Sequence, residues 1–181
     1  MFLFKFKGWK YDTRLPDGYE RCVVIAAPHT SNWDFLYTMA AFYLIGIPIR
    51  YLAKKSLFTW PIKSMMFKTG GIPVERKIKG NLVDDMIGMF NNNQKLMLMI
   101  PAEGTRSKVK RWKTGFYHVA IGANVPILLG YLDYEKKMAG FGPLLYMTGD
   151  RLKDAEQIKD FYRNIKGKHP QNFDVNSLIL S

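Results

Sequence analysis

The sequence predicts an α/β fold in which a mainly parallel, mixed sheet is flanked by helices. Short apolar runs alternate along the chain with longer segments that carry helix-start or helix-end signals, and this alternation is typical of parallel strands joined by crossover helices. A chain of 181 residues is long enough to bury a substantial core. We therefore expect residues 1–181 to form a single domain, with its site beyond the carboxyl ends of the strands.

The element boundaries follow from local signals. Pro28 closes an apolar run, Pro61 suits the first turn of a helix, and the three asparagines at 91–93 suit a helix end. The tail from residue 169 is polar and then apolar, so it either docks or frays. The predicted strands cover 9–14, 22–27, 48–53, 71–75, 95–100, 125–133 and 143–148, and the predicted helices cover 32–45, 57–68, 80–92, 114–123 and 153–166.

His29 and Asp34 lie five positions apart where an apolar run ends. On a regular helix, side chains at that spacing point about 140° away from each other. They meet if His29 lies in the turn after the strand and Asp34 in the first turn of the next helix, behind an N-cap at one of residues 30–32. Asp34 would then accept a hydrogen bond from one ring nitrogen and leave the other free to take a proton. The alternative is a helix-start carboxylate beside a solvated histidine.

A second candidate segment is Glu103-Gly104-Thr105-Arg106. Gly104 permits a tight turn with a positive φ that exposes backbone N–H groups. Arg106 has the planar fork needed to bind a phosphate at two points. Arg76, at the end of a short apolar run after a glycine pair, is a candidate of the same kind. Taken singly, each arginine is better explained by a surface salt bridge.

The ordered blocks resemble those of the glycerolipid acyltransferases, and most of all those of small bacterial members. The family includes the lysophosphatidic acid acyltransferases, which move a fatty acyl group from acyl carrier protein or coenzyme A to a lysophospholipid hydroxyl. The resemblance covers residues 22–132 and implies a glycerol-phosphate acyltransferase-like fold, with His29 as general base and Asp34 as its orienter. The matching blocks are His29-x4-Asp34, the glycine-led run ending in Arg76, Glu103-Gly104-Thr105-Arg106, and Val125-Pro126-Ile127. The acceptor-binding residues it implies are Arg76, Glu103, Gly104, Thr105 and Arg106.

Two positions depart from the family pattern. Pro73 stands where the family usually has an aromatic residue, and Leu129 stands where it usually has a proline. Because Pro73 lies near the inferred acceptor site, the acceptor could instead be an amine or a sugar hydroxyl of another lyso-lipid, an aminolipid or a glycolipid. The resemblance implies no cofactor besides the acyl-coenzyme A or acyl carrier protein thioester that serves as co-substrate.

Charge indicates the partners. The chain has 27 Lys and Arg against 15 Asp and Glu, a net charge of +12, and such an excess attracts polyanions. We expect an anionic membrane surface, acyl carrier protein or coenzyme A thioester, and a lysophospholipid acceptor as partners. No recognised DNA- or RNA-binding motif is present, so we expect no nucleic acid. The single Cys22 excludes an internal disulfide and indicates a reducing compartment, which predicts a cytoplasmic protein at the inner face of the cell membrane.

No segment predicts a bilayer span. The longest charge-free run, 35–49, has fifteen residues, whereas a span needs about 20. Charge enters the apolar N-terminus too early for a cleavable signal, and we expect no N-terminal anchor. Residues 2–6 form either an edge strand or an aromatic-basic segment at a membrane interface. Within 54–68 basic residues interleave with large apolar ones, which predicts an amphipathic helix that packs on one face while its rim meets lipid or the acyl chain.

The predicted function is acyl transfer in phospholipid biosynthesis, from an acyl thioester to the hydroxyl of a lysophospholipid such as 1-acylglycerol-3-phosphate, assisted by a His–Asp pair. A basic membrane- or nucleic-acid-binding module without enzyme activity would explain the charge but not the ordered blocks. A metal-dependent hydrolase is disfavoured because the three histidines lack zinc-ligand spacing, and we expect no metal ion. A serine esterase would need a Gly-x-Ser-x-Gly elbow, which the sequence lacks.

Overall fold

The computed structural model describes residues 7–74 and 82–180. The aromatic N-terminus, 2–6, and Arg76 lie outside the described residues. The strands are β1 (Lys10–Tyr11), β2 (Arg21–Ala26), β3 (Ile49–Lys54), β4 (Gly71–Val74), β5 (Leu96–Met99), β6 (Ile127–Asp133) and β7 (Met138–Leu145). The helices are α1 (Asn32–Ile45), α2 (Lys63–Lys68), α3 (Leu82–Asn91), α4 (Gly115–Gly122) and α5 (Arg151–Tyr162), with 3-10 turns at Lys55–Leu57, Pro170–Asn172 and Val175–Ser177.

The strands form one sheet in the order β1-β7-β6-β2-β5-β3-β4. Every neighbouring pair is parallel except β6 with β7, which is antiparallel. The mainly parallel, mixed sheet predicted from the sequence is thereby confirmed. Strand β2 is central, between β5 and β6. Its residues Val23, Val24 and Ile25 have no exposed surface, as expected for a parallel strand covered on both faces.

Helices cover both faces of the sheet. Successive side chains of a strand point to opposite faces, so the apolar strands have side chains to bury on each side. Val23 packs in the large cluster with α3, α4 and α5. Its neighbour Val24 packs on the other side with Phe42 of α1. On that second side, α2 places Met66 beside Tyr51 of β3, with Phe35 and Met39 of α1 packed against them. Helix α2 therefore stands over the half of the sheet that contains β3, and α1 packs beside it and extends over β6 and β7.

The predicted helix over 57–68 is wrong in its first half. Residues 58–62 run through bends and turns after the 3-10 turn, and α2 begins only at Lys63. Phe58 explains the interruption because its ring is buried beneath α2 and its centroid lies 4.9 Å from that of Phe67. The chain turns towards the sheet to bury Phe58, and the helix begins only after this turn, at Lys63. Pro61 therefore does not start the helix.

The last strand and the last helix also begin earlier than predicted. Strand β7 starts at Met138 rather than at 143 because the chain turns back at once after β6. In that turn, Asp133 Oδ1 accepts hydrogen bonds from the amides two and three residues later, at 3.1 and 3.2 Å. Helix α5 starts at Arg151 because the side chain of Asp150 caps it. The predicted strand over 9–14 is reduced to the two residues of β1, whereas α1 agrees at both ends.

Candidate active site

The turn between β2 and α1 holds the predicted carboxylate in a fixed position. Ser31 is the N-cap of α1, and its side chain accepts a hydrogen bond from the amide of Trp33 at 3.2 Å. Asp34 completes a capping box, since its Oδ2 accepts hydrogen bonds from the amides of Thr30 and Ser31, each at 2.8 Å. The predicted cap and the place of Asp34 in the first helical turn are confirmed.

His29 faces this carboxylate from the turn that precedes the helix. Its Nδ1 lies 3.3 Å from Oδ2 of Asp34, so of the two arrangements that the spacing left open, the one in which the side chains meet is present. The side chain of Asp34 is 3% exposed and that of His29 is 24% exposed, so the imidazole reaches the surface while its partner does not. The contact directs Nδ1 towards Asp34 and leaves Nε2 as the ring nitrogen that can meet a ligand.

Tyr134 is a third member of this group that the sequence did not predict. Its hydroxyl donates a hydrogen bond of 2.6 Å to Oδ1 of Asp34, across a hundred positions of sequence. Tyr134 directly follows β6, which is the parallel neighbour of β2. The carboxyl ends of parallel neighbours meet at one edge of a sheet, and this is the signal that would have placed Tyr134 near His29.

The hydrogen bonds around Asp34 keep its carboxyl ionised. Burial raises the pKa of Asp34, but the hydrogen bonds from His29, Tyr134 and the two amides outweigh burial and hold that pKa below its ordinary value. Burial and the neighbouring carboxylate in turn raise the pKa of the Tyr134 hydroxyl, so Tyr134 stays protonated and remains a donor. The charge on Asp34 is therefore available to stabilise a protonated His29.

Glu103 supports the same turn from the end of β5. Its Oε1 accepts a hydrogen bond of 2.6 Å from the main-chain amide of His29, and the residue is only 3% exposed. Burial, helped by the charge of Asp34 and opposed by the hydrogen bond from His29, raises the pKa of Glu103 to about 7. Strands β2 and β5 thus bring His29 and Glu103 together, as the topology predicted, with Glu103 directed at the backbone of the turn.

The segment after Glu103 is exposed. Gly104 has φ of +72°, in the left-handed region that its sequence context predicted. Thr105 and Arg106 lie on the surface. The main-chain oxygen of Arg106 accepts a hydrogen bond from Nδ2 of Asn172 at 3.2 Å, which ties this segment to the C-terminal part of the chain.

His29, Asp34 and Arg106 border one cavity of about 420 Å³, on the side of the sheet that α1 covers. Most of its wall is apolar. A cavity of this size and character suits a small or chain-like apolar ligand with a polar end. The rest of the lining comes from β3, α1 and the segment around α2: Ala26, Phe35, Thr38, Tyr51, Leu52, Ala53, Lys54, Leu57, Met66, Met99 and Pro101.

The segment after α5 folds back onto the His29 turn. The amide of His169 donates to Oγ1 of Thr30 at 3.1 Å, and Nζ of Lys168 lies 5.2 Å from the centre of the Trp33 ring. Further along, Leu178 is fully buried in the large cluster. The tail from residue 169 therefore docks, and it contributes to holding the turn in place.

Two other features of the described residues bear on ligands. Within 7–74 and 82–180, no three His, Cys, Asp or Glu side chains gather into a set that could hold a metal ion. In the same part of the chain, none of the helices has both the length and the apolar character needed to cross a bilayer.

Sequence comparisons identify relatives of the chain. A family model described as acyltransferase matches residues 11–128. The 1-acyl-sn-glycerol-3-phosphate acyltransferases of Salmonella typhimurium and Escherichia coli are each 30% identical, over 131 and 132 residues, and the matches cover 67% of this chain and 51% of theirs. The protein of the same name from Haemophilus influenzae is 27% identical over 135 residues, which cover 70% of this chain and 55% of its own.

The fold matches a solved structure. The crystal structure of the 1-acyl-sn-glycerophosphate (LPA) acyltransferase PlsC from Thermotoga maritima superimposes with a TM-score of 0.54 at 15% identity, covering 91% of this chain and 77% of that chain. The expected acyltransferase-like fold is confirmed. This chain spans about half the length of the curated relatives it matches. The family match nevertheless extends over residues 11–128 and includes both the His29 turn and the Glu103–Arg106 segment, and the chain therefore belongs to the acyltransferase family.

Proposed function

We propose that this chain is an O-acyltransferase of phospholipid biosynthesis, which moves a fatty acyl group from an acyl thioester to the hydroxyl of a lysophospholipid such as 1-acylglycerol-3-phosphate. One observation carries the proposal: an imidazole oriented by a buried carboxylate borders a largely apolar cavity that also has Arg106 at its edge. The names of the relatives, 1-acyl-sn-glycerol-3-phosphate acyltransferase, support the same acceptor class.

In the proposed reaction, Nε2 of His29 takes the proton from the acceptor hydroxyl while the hydroxyl oxygen attacks the thioester carbonyl carbon. The tetrahedral intermediate then breaks its carbon–sulfur bond, and the departing thiolate takes the proton back from the imidazolium. Asp34 holds the ring in the required orientation and stabilises its positive charge. General-base assistance of this kind contributes about 10²–10⁴ in rate. No covalent acyl-enzyme is needed.

The acceptor is held by the exposed segment after Glu103. Arg106 binds its phosphate at two points, Gly104 and Thr105 offer the backbone and hydroxyl groups of the same turn, and Arg76 adds a second guanidinium. Glu103 is buried against the amide of His29, so it acts on the acceptor indirectly, through the position of the His29 turn. Holding the hydroxyl near the base contributes as much to rate as proton transfer does.

The acyl donor is acyl carrier protein or coenzyme A thioester, used as co-substrate with no further cofactor. The net charge of +12 favours anionic partners, which include the phosphorylated acceptor and an anionic membrane surface. We place the protein in the cytoplasm at the inner face of the cell membrane and expect no nucleic-acid partner.

The test is thiol release from acyl-coenzyme A and acyl carrier protein, with and without lysophosphatidic acid. Wild type should release thiol only when the acceptor is present, because the base acts on the acceptor hydroxyl. His29→Ala should lower this rate by at least about 100-fold, whereas Arg106→Ala should chiefly raise the KM for the phosphorylated acceptor. His118→Ala serves as the matched control, since His118 is an exposed imidazole on α4 and does not line the cavity.

Three results would contradict the proposal. Near-normal turnover in His29→Ala would show that His29 is not the general base. An unchanged KM for the acceptor in Arg106→Ala would show that Arg106 does not bind its phosphate. Absence of turnover with lysophosphatidic acid, together with turnover on a lyso-aminolipid or lyso-glycolipid, would transfer the same chemistry to a different acceptor.

A further inference from the structure

Forty consecutive residues, 35–74, contain no Asp or Glu. The whole chain has 15 acidic residues, so this stretch is unusually poor in them. It contains five cations, namely Arg50, Lys54, Lys55, Lys63 and Lys68. Arg50 and Lys54 are exposed residues of β3, and Lys55, Lys63 and Lys68 are exposed in the segment that leads into and through α2. This stretch therefore contributes five exposed cations and no carboxylate of its own to the surface.

The same stretch carries large apolar side chains that are exposed to water. Trp60 is 90% exposed and Tyr43 is 83% exposed. More than half of the strongly exposed large apolar side chains among the described residues lie between positions 33 and 67. A soluble surface rarely gathers so many, because each remains in unfavourable contact with water. Around Trp60 the group includes Leu57, Ile62, Met65 and Phe67; we refer to Tyr43, Leu57, Trp60, Ile62, Met65 and Phe67 as the Trp60 face.

Packing explains why these side chains point outwards. Met66 and Phe58 are the anchors of this segment, and both are buried against Tyr51 of β3. A short helix that buries Met66 must turn Met65 and Phe67 towards the surface, and both are about half exposed. Met66 and Phe58 thus fill the core position of this segment, and the side chains of the Trp60 face keep much of their surface exposed to water.

The Trp60 face joins the active-site cavity to a second groove. Leu57 and Lys54 line the cavity that His29 borders. Tyr43 and Phe67 line a separate groove of about 380 Å³, where Arg50 and Lys68 are also found. Both concavities border β3, at successive positions along the strand. An apolar chain that approaches this face therefore meets Leu57, which is exposed and lines the active-site cavity.

We propose that the Trp60 face, with its surrounding cations, docks on an anionic lipid bilayer and turns the mouth of the active-site cavity towards the membrane. Tryptophan and tyrosine rings suit the boundary between headgroups and acyl chains, and lysines around them are attracted by anionic headgroups. This deepens the proposed function and rests on it, because a membrane-facing cavity lets a lipid substrate enter without crossing water.

An acidic acyl carrier protein would also be attracted by the five cations. The observations favour the bilayer, because the exposed side chains between the cations are large and apolar and include a nearly fully exposed tryptophan. Burial of such side chains in the interfacial layer of a bilayer removes apolar surface from water. An acidic protein surface would need only the cations to bind, so it would not explain the exposed apolar side chains.

The experiment measures sedimentation of the full chain with vesicles of phosphatidylglycerol and phosphatidylcholine, and with vesicles of phosphatidylcholine alone. Wild type should bind the anionic vesicles and lose most of that binding without phosphatidylglycerol. Trp60→Ala and Lys63→Glu should each weaken binding by about fivefold or more. The matched controls are Leu152→Ala and Lys153→Glu, since both positions are exposed on α5, on the opposite side of the sheet; they should bind as wild type does.

A second arm separates docking from chemistry. Turnover of an acceptor embedded in vesicles should fall in Trp60→Ala, whereas turnover of a water-soluble short-chain acceptor should not change. The proposal is overturned if wild type does not bind anionic vesicles, or if both face variants bind as wild type does. It is likewise overturned if the variants lose turnover only with an acyl carrier protein donor, because the face would then bind the carrier. Vesicle binding that depends on Trp60, without turnover of any acceptor, would uphold the docking surface and refute the proposed function.

Discussion

Replacing Glu103 by Gln should change how the stability of the protein depends on pH. Glu103 is 3% exposed, and burial raises its pKa from the ordinary 4.5 to about 7. The folded protein therefore holds a proton on Glu103 that the unfolded chain releases between these two values. The resulting stabilisation is fully present below about pH 4.5 and is lost as the pH rises through about 7.

The size of the effect follows from the same pKa. At about 1.4 kcal/mol per pKa unit, the rise of the Glu103 pKa from 4.5 to about 7 corresponds to about 3 kcal/mol in the free energy of unfolding. Glu103→Gln keeps an oxygen that can accept a hydrogen bond from the amide of His29 but has no proton to lose. Its free energy of unfolding should therefore not decrease as the pH rises through about 7. Between about pH 4.5 and about pH 8, the variant should gain about 3 kcal/mol relative to wild type, or about 6–12 °C in Tm for a chain of this size.

Urea unfolding followed by circular dichroism at intervals over this pH range measures the difference directly. Glu135→Gln is the matched control, because Glu135 is exposed on the turn between β6 and β7, and its profile should follow wild type. A difference in stability between Glu103→Gln and wild type that stays constant with pH would rule out the raised pKa, since Glu103 would then ionise in the folded protein without cost.

Two further predictions concern single side chains. Tyr134→Phe removes the 2.6 Å hydrogen bond to Asp34 but leaves the two amide donors in place, so kcat should fall about tenfold with little change in KM; steady-state kinetics would contradict this if kcat were unchanged. Cys22 is fully buried and burial raises its pKa to about 12, so N-ethylmaleimide should leave it unmodified until the protein is unfolded. Rapid labelling of native Cys22 with loss of turnover would overturn that expectation.

Local signals explain what the sequence predicted well. Helix α1 agrees at both ends because Ser31 is a strong N-cap and Gly46 adopts the left-handed conformation that ends the helix. The contact of His29 with Asp34 was predictable for the same reason, since it depends on one strand end and one helix start. Glu103 lies close to His29, as predicted, because the two residues follow neighbouring parallel strands of the sheet.

Long-range packing explains what the sequence did not predict. Tyr134 reaches Asp34 from the far end of β6, a contact that depends on strand order and not on local pattern. The interruption before α2 depends on the burial of Phe58 against β3 and Met66, which its helical spacing does not reveal. Glu103 stands in a polar, glycine-containing segment, so its sequence context favours a ligand-binding carboxylate, whereas the fold buries it against a backbone amide.

Identification of the reaction products shows whether the chain transfers an acyl group to a lysophospholipid hydroxyl. The full chain is incubated with an acyl thioester that carries a deuterium-labelled acyl group and with 1-acyl-sn-glycerol 3-phosphate, and the lipid products are measured by mass spectrometry alongside the released thiol. We expect labelled diacylglycerol phosphate in a one-to-one ratio with thiol, and loss of both in His29→Ala. Labelled free fatty acid without acylated acceptor, or undiminished product in His29→Ala, would contradict it.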